Sequence, residues 1–135
     1  MSRENVELVR QGLEAWNRGD LDAFLERAHP DCEWVPAVAQ QVEGENAVYR
    51  GISGLRRFWE DWHGGVFDFQ FREEDIRDLG DTVLVLSRVS ATGRASGVDL
   101  DTSFGMVLTI EGGRLIRMVS YPDREQALEA VGLQE

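Results

Sequence analysis

The apolar residues of the first segment recur every three or four positions, as on one face of a helix. They are Val6, Val9, Leu13 and Trp16. We therefore predict a helix over about residues 4–18. Gly19 is suited to ending this helix, and Asp20 to capping a second, shorter one. The sequence His29-Pro30-Asp31 then ends the second helix.

A short strand and a third helix are predicted next. Residues 32–35 have the composition of a strand, and Pro36 limits that strand to an edge or an end of a sheet. The sequence Tyr49-Arg50-Gly51 leads into the third helix, for which Ser53 is the expected N-cap. Gly64-Gly65 is expected to stop it.

From Phe67 the period of the pattern changes from helical to two. Phe67, Phe69 and Phe71 alternate with polar residues, which is typical of a strand with one buried face. Further strands separated by glycine-containing turns are predicted at 82–90, 98–110 and 114–121.

A last helix closes the predicted order of elements. Asp123, with Gln126 three residues later, resembles a capping box, and Gly132 is suited to ending the helix. The order is α-α-β-α-β-β-β-β-α, in which helices precede a meander of antiparallel strands. Such segregation indicates the α+β class. The chain has no repeat and no linker, so we expect a single domain over residues 1–135.

Composition and charge narrow the functional classes. All 14 basic residues are arginine, against 25 acidic ones, which gives a net charge of −11. Without lysine the chain cannot form a Schiff base or anchor pyridoxal phosphate. Its acidity disfavours nucleic acid and anionic membrane surfaces as partners. No signal peptide or long apolar run is present, so we expect a cytoplasmic protein without a membrane segment. The lone cysteine, Cys32, excludes an internal disulfide and is expected to be an inert buried thiol.

Four separated motifs occur in order along the chain. They are Glu14–Asp22 (EAWNRGDLD), His29–Trp34 (HPDCEW), Tyr49-Arg50-Gly51 and Tyr121–Glu125 (YPDRE). Together they resemble the SnoaL-like proteins of the nuclear transport factor 2-like superfamily, which includes ketosteroid isomerase and scytalone dehydratase. The resemblance implies a cone-shaped, curved antiparallel sheet whose concave face is closed by three helices. It also implies an apolar pocket at the wide end of the cone and a homodimer formed through the convex face.

The resemblance does not fix an activity, because the superfamily contains isomerases, dehydratases, cyclases, hydrolases and non-catalytic domains. Chemistry like that of ketosteroid isomerase needs a carboxylate base, a tyrosine and a protonated aspartic acid. By alignment on the motifs, the tyrosine position falls on Gly12, the base on Pro36 and the acid on Met106. The residues for that reaction are therefore missing.

Weaker catalytic candidates remain. His63, at the end of the third helix, is either a cation favoured by the helix dipole or an acid or base at the pocket mouth. Arg88 could pair with Asp99 and Asp101 inside the cone, as epoxide hydrolase-like chemistry requires, or it could lie outward in solvent. His29 is expected to have a cap or surface role. Neither histidine has a second histidine or a cysteine four residues on, so we expect neither metal nor cofactor.

Bulky apolar side chains are the positive signal for binding. Those expected to line the cone are Trp16, Trp34, Tyr49, Phe58, Trp59, Trp62, Phe104, Met106 and Met118. We predict that they form a pocket for a small, mostly apolar molecule, although such stripes are also typical of a core. If the protein is an enzyme, we expect a cofactor-independent isomerase, dehydratase, cyclase or hydrolase that works by acid–base chemistry. The alternative is a non-catalytic ligand-binding or dimerisation domain.

Overall fold

The computed structural model describes residues 2–36, 48–60, 67–93 and 99–133. The helices within these ranges are α1 (Ser2–Asn17), α2 (Leu21–Glu26), α3 (Gly51–Phe58) and α4 (Arg124–Ala130). The strands are β1 (Ala28–Val35), β2 (Tyr49–Arg50), β3 (Phe67–Asp78), β4 (Thr82–Gly93), β5 (Asp99–Glu111) and β6 (Arg114–Tyr121). The predicted α+β class is confirmed.

The strands form one curved, unclosed sheet in the order β2-β1-β6-β5-β4-β3. Neighbouring strands are antiparallel except β1 and β6, which run parallel, so the sheet is mixed. Because β2 pairs with β1 on the side away from β6, β1 is not an edge strand. It ends at Val35, immediately before Pro36, whose missing N–H cannot extend a ladder.

Most of the residues predicted to begin a helix or to form a turn do so. The Asp20 carboxylate accepts a hydrogen bond from the backbone N–H of Ala23 at 3.0 Å and caps α2. Asp123 caps α4 in the same way, accepting from the N–H of Gln126 at 2.8 Å. Gly112-Gly113 joins β5 to β6 with φ values of 60° and 77°, as a tight hairpin turn requires.

The third helix begins earlier than predicted. Ser53 lies inside α3, which starts at Gly51 with no side-chain cap. The chain remains extended through Arg50 because Arg50 pairs with Glu33 across β1 and β2, and their side chains form an ion pair at 2.9 Å. Gly51 then turns the chain with a φ of 69°. The predicted stop at Gly64-Gly65 lies outside the described residues.

Helices cover both faces of the sheet. On the face that we call inner, α1 packs against β3 and β4, and α2 and α3 pack against β1. The apolar residues of these three helices share one core with Val83 and Val85 of β4, and the resemblance implied three helices on this face. On the opposite, outer face α4 packs over the alternate residues, Leu84 and Leu86. A Cβ atom built on Gly105 would lie 2.2 Å from the Cβ of Ala127, so glycine is what lets α4 approach the outer face so closely.

Asn17, at the end of α1, holds that helix against the edge strand β3. Its Nδ2 donates to the carbonyl of Phe71 at 2.7 Å, and its Oδ1 accepts from the N–H of Phe71 at 2.9 Å. The side chain thus provides hydrogen-bond partners for the N–H and carbonyl groups of Phe71, which on an edge strand would otherwise have none from a neighbouring strand. The same contacts fix the position of the neighbouring Trp16 over the inner face.

Candidate functional site

Trp16 lies at the centre of an aromatic cluster on the inner face. Its ring is parallel to that of Trp34, with an interplanar angle of 3° and centroids 6.0 Å apart. The ring of Trp59 meets it edge-on at 4.7 Å, and that of Phe58 lies 5.8 Å away. Helices α1 and α3 and strand β1 therefore bring together the aromatic residues that the sequence indicated.

A small void lies beside this cluster. The space in which the centre of a water molecule could move is about 10 Å³. Its walls are Val9, Gly12, Leu13, Trp16, Phe24, Trp34, Phe71, Met106, Leu108, Leu115 and Met118. This volume accommodates about one water molecule, so the void itself is too small for an organic ring.

The predicted pocket residues have several positions in this core. Trp16, Trp34, Met106 and Met118 line the void. Tyr49, Phe58 and Phe104 are buried in the same core, and Trp59 packs half-buried against it. Trp62 lies outside the described residues. The sequence interpretation omitted Val9 and Leu13, although they share the helical stripe of Trp16 and that spacing could have identified them.

Trp34 carries an unsatisfied polar atom. Its side chain is on the inner face of β1, opposite Met118 of β6, and the residue is only 4% exposed. Its Nε1–H has no hydrogen-bond acceptor among the described residues. A buried donor without an acceptor costs about 1–3 kcal/mol, and such groups are uncommon in native proteins.

The walls of the void carry no acid or base. None of the eleven lining residues of the described part has a carboxylate, imidazole, thiol or guanidinium group. Ser87 is buried and has a hydroxyl group, but that group has a structural role. It donates a hydrogen bond to the carbonyl of Arg72 at 2.8 Å, beside the bulge of β3. These walls can exclude water and hold an apolar surface, but they cannot transfer a proton.

Arg88 lies on the outer face and does not enter the cone. It follows Leu84 and Leu86 at the two-residue period of β4, on the side that α4 covers. Its Nε donates to Oδ1 of Asp101 at 2.9 Å, and the two side chains are 36% and 59% exposed. The arginine–acid cluster considered for the interior is therefore a surface ion pair. The Asp99 side chain lies outside the described part of the chain.

The remaining candidate groups have structural environments. The Nδ1 atom of His29 accepts a hydrogen bond from the N–H of Asp31 at 2.9 Å, within β1 and not at the end of a helix as the sequence had indicated. Burial, with a smaller contribution from Glu33, raises the pKa of the Cys32 thiol to about 12. His63 lies outside the described residues. Among those described, no group of three potential metal ligands is close enough to hold an ion.

Two of the sequence motifs are neighbours in space. His29–Trp34 forms most of β1, and Tyr49-Arg50-Gly51 pairs with it as β2 and then turns into α3. A Cβ atom on Gly51 would come within 3.3 Å of the Pro30 carbonyl oxygen, so the two motifs fit closely together.

No described helix is both long and apolar enough to cross a membrane.

Comparison with known proteins supports the fold. The family model described as "SnoaL-like domain" matches residues 9–118. An NTF2-like protein of unknown function from Burkholderia pseudomallei K96243 is 21% identical, with a TM-score of 0.79 and 96% of each chain covered. TerC, co-crystallised with polyporic acid, is also 21% identical, with a TM-score of 0.78 and coverage of 89% of this chain and 92% of TerC. A candidate SnoaL-like polyketide cyclase from Jannaschia sp. CCS1 is 22% identical, with a TM-score of 0.76 and coverage of 96% and 89%. No curated protein matches the chain.

Proposed function

We propose, from the premise that this chain belongs to the SnoaL-like domain family, that it binds a small, mostly apolar molecule inside the cone. The observation that carries the proposal is the composition of the void beside Trp16 and Trp34, whose walls are apolar and carry no titratable group. Such walls favour binding over acid–base catalysis. The isomerase, dehydratase, cyclase and hydrolase activities would need an acid or base from elsewhere, for which His63 is the candidate.

Binding in this void requires the inner core to open, because the void of about 10 Å³ is smaller than any organic ring. Met106 and Met118 are suited to such a change, since an unbranched thioether side chain repacks at low cost. TerC, a protein similar in fold, has been crystallised with polyporic acid. That complex supports the proposal that a protein of this fold binds an organic molecule.

Methionine methyl groups provide a direct test. The chain has three methionines, and Met106 and Met118 both line the void. In protein labelled with ¹³C at the methionine methyls, titration with toluene should shift the Met106 and Met118 signals saturably. Met1 serves as the reference within the same sample. If no signal shifts saturably up to the solubility limit of toluene, interior binding is contradicted. Native mass spectrometry of the purified protein then shows whether a small molecule is already bound.

We also propose that the chain forms a homodimer, as the family resemblance implies. Because α4 covers Leu84 and Leu86, a second copy would have to use the more polar part of the outer face around Arg88 and Asp101. Sedimentation velocity at micromolar concentration should show a dimer that Arg88→Glu weakens, because the change breaks the ion pair and adds charge there. A monomer at all concentrations would contradict this. The cytoplasmic location stays a prediction, and the exclusion of nucleic acid is proposed from the acidic composition.

A further inference from the structure

We infer that Trp34 selects the ligand by donating a hydrogen bond to it. The interior is then a site for a neutral molecule that presents one hydrogen-bond acceptor, such as a carbonyl oxygen, on an apolar frame. This inference rests on the proposed function, because it assumes that the inner core admits a ligand at all. It adds the chemical class of that ligand and the residue that recognises it.

The direction of the missing hydrogen bond determines the ligand's polar group. An indole N–H is a donor only, so its partner must be an acceptor. Trp34 is 4% exposed, lines the void, and has no acceptor for Nε1–H within the described ranges. Buried N–H groups in native proteins nearly always have partners. An acceptor that arrives with a ligand would supply the missing one.

A trapped water molecule is a poorer partner for Trp34. The void has room for about one, at about 10 Å³. Buried waters are usually held by two to four polar groups. The described lining side chains offer no oxygen or nitrogen acceptor, only the weakly accepting thioether sulfurs of Met106 and Met118, so the two hydrogens of a water molecule there would be poorly satisfied by side chains. A carbonyl oxygen, which has no hydrogens to satisfy, does not meet this difficulty.

The walls also determine the charge of the ligand. None of the described lining residues is an arginine or a histidine, so a carboxylate or phosphate would be buried without a counter-charge. Burying an unpaired ion is far more costly than burying a neutral polar group that is hydrogen-bonded. The thioethers of Met106 and Met118 and the rings of Trp16 and Phe71 would instead contact an apolar frame. The acceptor must therefore be neutral.

The test compares two ligands that differ in one atom group, cyclohexanone and methylenecyclohexane. Protein labelled with ¹⁵N at the tryptophan indoles is titrated with each, and the Trp34 signal is assigned through Trp34→Phe. Cyclohexanone should move the Trp34 indole proton downfield and bind about tenfold more tightly than the hydrocarbon, as one hydrogen bond allows. In Trp34→Phe, which keeps an aromatic ring but lacks the donor, cyclohexanone should bind no more tightly than methylenecyclohexane, because its carbonyl would be buried without a partner.

A second variant distinguishes the effect of the Trp34 donor on ligand binding from the effect of the size of the void. Leu108→Ala enlarges the void and leaves Trp34 in place, so both ligands should bind more tightly while the preference for the ketone persists. It also keeps the inference testable if Trp34→Phe does not fold. Equal binding of the two ligands to the wild type and to Leu108→Ala would overturn the inference and leave the proposed function standing. If neither ligand binds the wild type or Leu108→Ala, the proposed function itself is wrong.

Discussion

Replacing Gly105 by alanine should separate α4 from the outer face of the sheet. The new Cβ would lie 2.2 Å from the Cβ of Ala127, whereas carbon atoms in contact are about 3.5–4.0 Å apart. Helix and sheet must therefore move apart by roughly 1.5 Å, which loosens the contacts of Leu128, now 1% exposed. Overpacking of this kind costs about 1–3 kcal/mol, and because backbone elements must move we expect a loss of about 2–3 kcal/mol. The loss in the free energy of unfolding is measured by urea denaturation monitored by circular dichroism.

Gly12 offers a matched control for Gly105, because it is also buried and the substitution is the same. A Cβ atom there would lie 3.7 Å from Cε2 of Phe24, an ordinary contact, and Gly12 is inside α1. Gly12→Ala should therefore stabilise the protein by about 0.5–1 kcal/mol through helix propensity. Adding Ala127→Gly to Gly105→Ala should recover part of the lost stability. If Gly105→Ala has the stability of the wild type, or Gly12→Ala is equally destabilising, the close-approach reasoning is refuted.

Other predictions concern an ion pair, an edge contact and the buried thiol. At a concentration where the chain is monomeric, Arg88→Ala should lower the free energy of unfolding by less than about 1 kcal/mol, because in the single chain the pair with Asp101 is solvent-exposed; a loss above about 2 kcal/mol there would show that Arg88 is buried within the monomer. Asn17→Ala should cost about 1–3 kcal/mol by removing both hydrogen bonds to Phe71, measured by urea denaturation, with accelerated hydrogen exchange in β3. Cys32 should resist thiol reagents at pH 8 until urea unfolds the protein, since its pKa is raised to about 12. As the unfolded thiol ionises near 9.0 while the folded one stays protonated, stability should fall as the pH rises from 9 to 12. Cys32→Ala should lose that part of the pH dependence, and an unchanged pH profile would contradict the assignment.

The elements that could be predicted are those whose signals are local. Asp20 and Asp123 cap helices through contacts three residues away, and Gly112-Gly113 forms a turn by its own backbone preference. The start of α3 was missed because it depends on a partner distant in sequence. Arg50 stays extended through pairing with Glu33, and this pairing overrides the local preference of Ser53 for a cap.

The face of the sheet on which the Arg88 side chain lies could not be predicted from the sequence, because β4 is buried on both sides. Val83, Leu84, Val85 and Leu86 are all fully buried, so the strand lacks the alternation that would assign its faces. Helix α4 causes this by covering the outer side of β4. The sequence marks that contact by the missing side chain at Gly105, which a turn and strand β6 separate from Asp123, the cap of α4. The same limit applies to the interior. Sequence spacing identified aromatic residues that meet there, but whether Trp34 Nε1 finds an acceptor depends on every element packed around it, which no local pattern encodes.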